Sequence, residues 1–326
     1  MHKNIARRLT LRMWMVATPM LMLVACGGPA PEPIELHFDA LVVDQPARCG
    51  VPFEGVGLGA TPVEIADARF YVSGFTLTRA DGTEVPLELD QDSPWQHENV
   101  ALLDFEDATG RCSNTGTSQM NSIVRGTVPA GEYTGLSFTI GVPHELNHLD
   151  APTAPSPLNL NTLYWNWRFG YIYTKVEFWN PNVASTDAPA AASVDPSDKS
   201  TVAGTGMPPG PAPQPTVTYL AHLGSTGCES SAPTTPPDVP CSRPNRVPVS
   251  LADFDPTTDR IGLNLAGLVT GIDVTKSVLR PPGCMSAPID PDCDAVFANL
   301  GIDLETGTCT TDCSDQQLVS RLEGSN

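Results

Sequence analysis

The feature that most limits the fold of this chain is a succession of short strand-like segments separated by glycine, proline and aspartate. Residues 34–43 at first alternate apolar and polar side chains, as a half-buried strand does. Residues 68–79 are rich in aromatic and β-branched side chains, with a bend at Gly74, and residues 100–105 are continuously apolar. Since patterns of helix length are few, the sequence predicts an all-β fold: one antiparallel β-sandwich or barrel-like domain with long loops.

Turn signals divide the rest of the chain. Asp81-Gly82 predicts a hairpin whose returning strand covers residues 83–89, and a Pro-Ala-Gly turn at 129–131 predicts a second hairpin. Residues 180–216 are dense in Pro, Ala, Ser and Thr and predict a long surface loop. Further strands are expected over residues 217–223, 247–251 and 260–265, and short helical segments over residues 296–301 and 316–322.

The N-terminus has the anatomy of an export signal. Residues 1–25 combine four basic residues with an apolar run that is too short to span a membrane. The run ends in a segment that resembles the lipobox of bacterial lipoproteins, with Cys26 as the lipidated residue and Gly27 giving no signal for inner-membrane retention. Residues 26–33 then form a tether and residues 34–326 the β domain. We therefore expect a lipoprotein of the bacterial cell envelope, in the outer membrane and facing the periplasm or the cell surface, with membrane contact through its lipid only.

The charge of the chain excludes one class of partner. The full sequence has a net charge of −19. Removal of residues 1–25 takes away four basic and no acidic residues, which leaves −23. Such a surface repels nucleic acid and anionic lipid headgroups.

Eight cysteines remain when Cys26 is set aside, and an even number in an exported chain indicates disulfides. Sequence alone does not fix their pairing. Pairing of near neighbours would join Cys228 to Cys241, Cys284 to Cys293 and Cys309 to Cys313, which leaves Cys49 with Cys112. The Cys309–Cys313 bond would staple a C-terminal extension.

Trp95 and His97 are the first candidate site residues. If residues 93–99 are extended, positions two apart point to the same face, so the indole and the imidazole lie side by side. Neutral imidazole is a good copper ligand. Native indole is not, because its N–H can only donate. Trp95 is therefore either a wall of a pocket or a residue that is chemically altered before it binds a metal.

Other histidines are possible ligands, each with a structural alternative. His144 and His148 are four residues apart and would share a face of a helical turn after Pro143. His37 lies in a predicted strand, and His222 lies just before a glycine-rich segment. The aromatic residues 163–179 fit either core strands or a flat platform for sugars.

No motif favours catalysis. The sequence lacks G-x-S-x-G, a P-loop and a C-x-x-C-H haem attachment site. Residues 144–148 (HELNH) match the letters of H-E-x-x-H, but that zinc motif requires a regular helix and only a short turn is expected after Pro143. We therefore expect a binding protein and not an enzyme.

Five blocks of sequence together resemble one family. They are residues 67–73 (DARFYVS), 101–106 (ALLDFE), 141–148 (GVPHELNH), 222–228 (HLGSTGC) and 283–286 (GCMS) with Cys293. Over residues 34–301 the chain is similar to the MbnP family of periplasmic or lipid-anchored copper-binding proteins. The resemblance implies a partner, a dihaem cytochrome c peroxidase of the MbnH type, which oxidises one tryptophan of its substrate to kynurenine.

The resemblance also implies a ligand set. Related copper proteins place a kynurenine two residues before a ligand histidine, and Trp95-Gln96-His97 matches that pattern. Opening the indole ring exposes an aryl amine with a lone pair, which together with imidazoles makes a low-coordinate nitrogen site. Trp165 and Trp167 are the alternative candidates for the modified residue. The implied histidine ligands, in order of preference, are His97, His148, His222 and His37, with His144 ranked lower.

Copper acquisition, storage or delivery is thus the expected role. The alternative is an exported glycan-binding or adhesion module that uses the aromatic residues 163–179. Calcium is a second candidate ion, at the acidic loop formed by residues 253–259.

Overall fold

A computed structural model describes residues 30–59, 61–114, 116–182, 214–232, 234–279 and 281–324. The predicted export signal, Cys26 and most of the predicted loop at 180–216 lie outside the described residues. No helix within these ranges is long and apolar enough to cross a membrane.

Short strands dominate the described chain. In order they are β1 (Pro31–Val42), β2 (Gln45–Pro46), β3 (Pro52–Phe53), β4 (Val63–Thr78), β5 (Glu84–Pro86), β6 (Glu88–Leu89), β7 (Gln96–His97), β8 (Val100–Asp104), β9 (Ile123–Pro129), β10 (Gly135–Ile140), β11 (Tyr164–Asn166), β12 (Gly170–Tyr171), β13 (Thr174–Trp179), β14 (Gln214–Pro215), β15 (Thr218–Leu223), β16 (Val247–Ala252), β17 (Arg260–Asn264), β18 (Lys276–Ser277), β19 (Gly283–Cys284) and β20 (Val319–Leu322).

Helices in these ranges are short. They are α1 (His144–Asn147), α2 (Cys293–Asn299) and three 3-10 turns at Gly110–Asn114, Asn161–Leu163 and Leu265–Val269. The prediction of a helical segment near residue 296 is confirmed, with an earlier start. The terminal helix predicted over residues 316–322 is wrong, because this segment pairs as β20 with β17, with Val319 opposite Leu263.

Two sheets make the sandwich. The first has the order β20-β17-β1-β9-β6, with β2 beside β1. The second has the order β16-β10-β4-β13-β15-β19, with β3, β5 and β8 also paired to β4, and β7 paired to β8. Most pairs are antiparallel, but β1–β17 and β15–β19 are parallel. The all-β sandwich predicted from the sequence is therefore confirmed.

The main core lies between the sheets. Phe38 of β1 packs edge-on against Phe75 of β4 and Phe138 of β10, with ring centroids 6.5 and 5.7 Å apart. Phe75 and Phe138 stack on each other at 5.4 Å. Each ring is almost fully buried, so this cluster joins the two layers by apolar area and by favourable ring geometry.

β4 is the central strand of the second sheet. It bends at Gly74, whose φ of +66° a side chain would strain. One predicted hairpin forms, since Thr78 of β4 pairs with Glu84 of β5. The hairpin predicted around the turn at 129–131 does not, because β9 joins β1 in one sheet while β10 joins β4 in the other. This turn carries the chain from layer to layer.

All eight cysteines in the described chain form disulfides. The bonds are Cys49–Cys112, Cys228–Cys241, Cys284–Cys293 and Cys309–Cys313. This is the pairing that proximity in sequence favours. The Cys309–Cys313 bond lies in the C-terminal segment before β20, as expected of a stapled extension.

Candidate metal-binding site

The face of β4 that points away from the main core carries polar and aromatic residues. Ala68, Phe70 and Val72 alternate into the core, which turns Asp67, Arg69, Tyr71 and Ser73 to the opposite face. All four of these side chains are buried. A segment that includes α1 and β11–β12 covers this face. The side chains buried beneath this segment therefore lie in a low-dielectric setting.

Charged residues from four strands and one loop meet at one end of this face. We call them the buried ion network: Asp67, Arg69, Asp104, Glu106, Lys175, Glu177 and His222. The register explains the grouping, since Arg69 lies opposite both Lys175 and Asp104, and Lys175 lies opposite His222. Cross-strand neighbours on one face are the pairs whose side chains can touch.

Arg69 and Lys175 converge on one carboxylate. Arg69 donates to Asp67 through Nε at 2.9 Å and Nη2 at 2.5 Å, and Lys175 Nζ lies 2.8 Å from Asp67 Oδ2. Arg69 Nε also lies 3.2 Å from Glu106 Oε1. Burial opposes the charge on Arg69, but the hydrogen bond and the charge of Asp67 outweigh it and raise the pKa of Arg69. The network thus pairs buried basic side chains with buried acidic ones.

His222, one of the predicted ligands, belongs to this network. Its Nε2 lies 2.9 Å from Glu177 Oε1. Burial alone would raise the pKa of Glu177, but the hydrogen bond and charge of His222, with Lys175, lower it. The other ring nitrogen, Nδ1, is buried and has no hydrogen-bond partner. A histidine held by a carboxylate on one nitrogen and open on the other is the arrangement seen for many metal ligands.

Asp104 differs from the other acids of the network. It accepts a hydrogen bond from the Glu106 amide at 3.1 Å. Burial raises the pKa of Asp104 to about 6, against the lowering effects of that hydrogen bond and of Arg69. This carboxyl therefore takes up a proton at mildly acidic pH.

Trp95 and His97 lie at the other end of the same face. The extended segment is shorter than the sequence predicts, because β7 contains only Gln96 and His97 and Trp95 lies in a turn. The ladder nevertheless continues through Trp95, whose carbonyl accepts from the Leu102 amide at 2.9 Å. His97 is the register partner of Val100. Gln96 points the other way, and its amide group bonds the Arg125 backbone.

Trp95 packs against an apolar group that we call the aromatic cluster. Its buried members are Tyr71, Val100, Leu102, Val142, Leu146, Ala151, Leu158, Leu163, Tyr171 and Tyr173. The Trp95 indole is half-buried at the edge of this cluster. The His97 side chain is 25% exposed, and its Nε2 lies 3.8 Å from Glu98 Oε1. Trp95 is therefore partly open to solvent on one side and backed by the apolar aromatic cluster on the other.

The tyrosines make that wall rigid. Tyr171 contacts Tyr71 and Tyr164, with ring centroids 5.5 and 5.1 Å apart. The Tyr71 hydroxyl donates to the Pro157 carbonyl at 2.8 Å and the Tyr171 hydroxyl to the Leu158 carbonyl at 2.5 Å. Both bonds are buried, so they fix the covering segment to the sheet. Of the two interpretations of residues 163–179, core packing describes Tyr171 and Tyr173, which are at most 1% exposed.

His148 lies in a separate pocket at the end of α1. The predicted helical turn forms after Pro143, and the rings of His144 and His148 lie 5.3 Å apart. His148 Nδ1 is 3.1 Å from the Trp167 carbonyl, which can only accept, so Nδ1 carries the proton and Nε2 the lone pair. Burial lowers the pKa of His148 to about 4, and the imidazole is neutral at pH 7.

The lone pair of His148 faces a disulfide. Cys241 Sγ lies 3.6 Å from His148 Nε2. His148, Cys228 and Cys241 are the one group of three His, Cys, Asp or Glu residues in the described chain whose donor atoms all lie within 4.8 Å of one another. Sequence analysis identified His148 and this cysteine pair separately but did not connect them, since 93 residues separate His148 from Cys241.

His37 lies on the first sheet, and the acidic loop at residues 253–259 leads from β16 of the second sheet into β17 of the first. His37 is on β1 opposite Ile123, and its Nε2 is 3.4 Å from Glu35. In the acidic loop, Asp255 accepts from the Thr257 amide and hydroxyl. Asp259 lies 2.8 Å from Arg321. These carboxylates are thus engaged by protein groups.

Two other tryptophans, Trp165 and Trp179, differ from Trp95 in their surroundings. Trp165 packs on the group formed by Phe169, Cys228 and Cys241. Trp179, at the end of β13, has the guanidinium of Arg111 3.3 Å from its ring centroid. A cation over an indole is favourable in the ground state, but it opposes the removal of an electron from that ring.

The structure therefore places the predicted residues in four places. Trp95 and His97 share the aromatic-cluster end of β4, His222 belongs to the buried ion network, His148 faces the Cys228–Cys241 bond, and His37 lies on the first sheet. Sequence analysis missed the roles of Arg69 and Lys175. The available signal was a charged residue inside each of two apolar strands, since isolated buried charges need partners.

Comparison with known proteins gives one family. The MbnP family model matches residues 31–286. The solved structure of MbnP from Methylosinus trichosporium superimposes with a TM-score of 0.74 at 31% identity, covering 91% of this chain and 100% of that one. No match is found among curated proteins.

Proposed function

The chain belongs to the MbnP family, and from that membership we propose that it is an exported, lipid-anchored copper-binding protein for copper acquisition, storage or delivery. It acts as a binding protein and not as an enzyme. Cys26 carries the lipid, and the domain faces the periplasm or the cell surface. The partner is a dihaem cytochrome c peroxidase of the MbnH type.

The observation that carries the proposal is the placement of Trp95 beside His97. The indole is half-buried against the aromatic cluster, and His97 pairs with Val100 of that same cluster. An oxidised Trp95 would therefore present its new group next to an imidazole that is already partly open to solvent. Residues on a regular ladder hold this geometry more tightly than loop residues do.

The maturation step converts the indole of Trp95 into a group that can bind a metal. Two molecules of hydrogen peroxide, used by the peroxidase, supply two oxygen atoms across the C2–C3 bond of the indole and leave as two molecules of water. Hydrolysis of the resulting formamide releases formate and leaves an aryl amine. The indole N–H cannot coordinate a metal, whereas the amine has a lone pair.

The surroundings of the tryptophans support Trp95 as the oxidised residue. Loss of an electron from Trp179 is opposed by the Arg111 guanidinium at 3.3 Å from its ring centroid. Within the described chain, no guanidinium lies over the ring of Trp95. Trp165, which packs on the Cys228–Cys241 group, and Trp167, which is half-buried like Trp95, stay the alternative candidates.

The donor set suits copper, which binds neutral imidazole and amine nitrogens well. His97 and the modified Trp95 form the minimal pair. Of the other expected ligands, His222 offers a buried nitrogen without a partner and His148 a neutral imidazole. His37 stays the last choice, since Glu35 is its neighbour on the first sheet. Bound copper would supply the cargo or a redox-active centre.

Co-production with the peroxidase tests the proposal. Wild-type protein should contain kynurenine at position 95 in peptide mass spectra and retain copper on dialysis. Trp95→Phe should retain no copper, and Trp179→Phe, the matched control, should behave as wild type. Intact Trp95 in a wild-type protein that still holds copper would refute the role of kynurenine. Wild-type protein that emerges free of copper would refute the binding function.

The glycan-binding alternative loses two of its rings. A stacking platform needs exposed ring faces, and Tyr171 and Tyr173 are buried, whereas Trp165 and Trp167 are half-buried.

A further inference from the structure

We propose that the Cys228–Cys241 disulfide and His148 form a second, redox-gated metal site, which binds one Cu(I) ion through two thiolates and one imidazole once the disulfide is reduced. This site uses none of the atoms of Trp95 or His97. It goes beyond the copper site proposed above, and it requires no kynurenine.

The donors are already assembled in the oxidised protein. The two sulfurs and a nitrogen of His148 all lie within 4.8 Å of one another, and Cys241 Sγ is 3.6 Å from Nε2. Donors bound about 2.3 Å from one metal in a trigonal plane are about 4 Å apart. Only the two sulfurs, now 2.01 Å apart, would need to separate. All three residues are at least nine-tenths buried.

The hydrogen bonds of His148 leave Nε2 as the nitrogen whose lone pair can bind a metal. The Trp167 carbonyl accepts the Nδ1 proton at 3.1 Å, and this bond orients the ring as an outer-shell partner does. Asn147 Nδ2 lies 3.2 Å from Nε2 and 3.3 Å from the Phe169 carbonyl. The Asn147 amide can therefore release the ring nitrogen and still keep one acceptor.

The pocket favours the negative charge of two thiolates. Arg168 Nε donates to the Cys228 carbonyl at 3.1 Å. Arg246 lines a cavity of about 10 Å³ beside Cys241 and His144, about the space of one water. Arg243 lies beside Gly227, next to Cys228. The chain has only 18 basic residues, so three arginines around one disulfide are a local concentration of positive charge.

The chemistry balances with a thiol reductant. A dithiol gives two electrons and two protons to the Cys228–Cys241 bond, which breaks into two thiols while the dithiol becomes a disulfide. Binding of Cu(I) then forms two Cu–S bonds and one Cu–N bond and releases the two thiol protons. Soft thiolates select Cu(I).

The test uses Trp95→Phe protein, which cannot form kynurenine, so its result is independent of the function proposed above. The protein is treated anaerobically with graded dithiothreitol, and differential alkylation shows which disulfides open. After removal of the reductant, Cu(I) is supplied from a chromogenic chelator. We expect the reduced protein to take one more equivalent of Cu(I) than the oxidised protein, and Cys228 and Cys241 to become protected from alkylation.

Three variants in that background sharpen the test. Cys228→Ser/Cys241→Ser should lose the additional equivalent, while Cys309→Ser/Cys313→Ser should keep it. His148→Gln leaves the disulfide intact and should weaken Cu(I) binding to the reduced protein at least tenfold. Equal Cu(I) uptake by oxidised and reduced protein would overturn the proposal, as would a Cys228–Cys241 bond that stays closed until the protein unfolds. Unchanged affinity in His148→Gln would overturn the role of the histidine.

Discussion

Two buried histidines of this protein lie in different electrostatic settings. His222 belongs to the buried ion network, with Glu177 at 2.9 Å and Lys175 next to both. His148 faces a disulfide and a backbone carbonyl, and burial lowers its pKa to about 4. Burial alone therefore does not decide what a histidine can do. The groups that share its desolvated space, a carboxylate for His222 and a carbonyl with a disulfide for His148, decide which interactions it makes.

The two corners also differ in what holds them together. Ionic contacts across β4, β13 and β15 fix the first, and a covalent bond that closes a short loop fixes the second. A buried ion network is costly to break because each member compensates another. A disulfide acts mainly by restricting the unfolded chain. The following predictions test this contrast.

The largest effect is expected from Arg69→Met. The substitution leaves Asp67 and Glu106 without their shared cation in a buried site. We expect a loss of about 3–5 kcal/mol in the free energy of unfolding, measured by denaturant titration at pH 7.

The matched control is Arg260→Met, which breaks a part-exposed pair with Asp39. We expect a loss of about 0–1 kcal/mol there. Similar losses in the two variants would show that the network is not an interdependent unit.

In the second corner, Cys228→Ser/Cys241→Ser should lower the free energy of unfolding by about 3 kcal/mol, because the bond spans 13 residues of sequence. Cys309→Ser/Cys313→Ser opens a bond that spans 4 residues and should cost about 2 kcal/mol. Salt should leave both losses unchanged, because neither double substitution removes a charge. A strong salt dependence would contradict the covalent origin of the effect.

The two histidines should respond unequally to the same substitution. His222→Gln removes the hydrogen-bond partner of the Glu177 carboxylate and should cost about 1.5–3 kcal/mol, the range for a hydrogen bond to a charged group. His148→Gln removes a neutral hydrogen bond and should cost about 1 kcal/mol. Unfolding free energies at pH 7 provide the comparison, and a larger loss in His148→Gln would reverse our assignment of the two settings.

The last prediction is a pH dependence. The pKa of His148 falls from 6.5 to about 4 on folding, so the unfolded chain binds more protons between these values. The contribution of His148 to stability is therefore complete above pH 6.5 and is lost as the pH falls towards 4.

His148→Gln should remove this loss of stability at low pH. The measurement is the difference in unfolding free energy between the variant and wild type from pH 6.5 down to about pH 4. Asp104 acts with the opposite sign, because a carboxyl with a raised pKa of about 6 gains protons on folding. The difference between variants isolates His148 from it. A difference that does not change with pH would show that His148 is not neutral in the folded state.

Much of the fold could be predicted from the sequence, and the failures are informative. Alternation of apolar and polar residues identified β1, aromatic and β-branched content identified β4, and a continuous apolar run identified β8. Short cysteine spacing favoured the disulfides that form. The segment at 316–322 has no strong periodicity, and its pairing with β17 comes from a strand far away in sequence. The turn at 129–131 is a local signal, whereas the sheet that each flanking strand joins depends on which faces are buried.

The candidate site shows the same division. The spacing of Trp95 and His97 indicated a shared face, while the aromatic cluster behind them needed residues from 71 to 173. Arg69 and Lys175 were visible as charges inside apolar strands, but not as partners of Asp67.

The sequence by itself determined the strand-rich composition, the export-type cysteine usage and the presence of a tryptophan two residues before a histidine, because these are properties of neighbours along the chain. Only the tertiary structure decided that His222 shares a charge network and that His148 faces a disulfide. Both contacts join segments more than 40 residues apart, and such contacts depend on sheet register and on the desolvation that packing imposes.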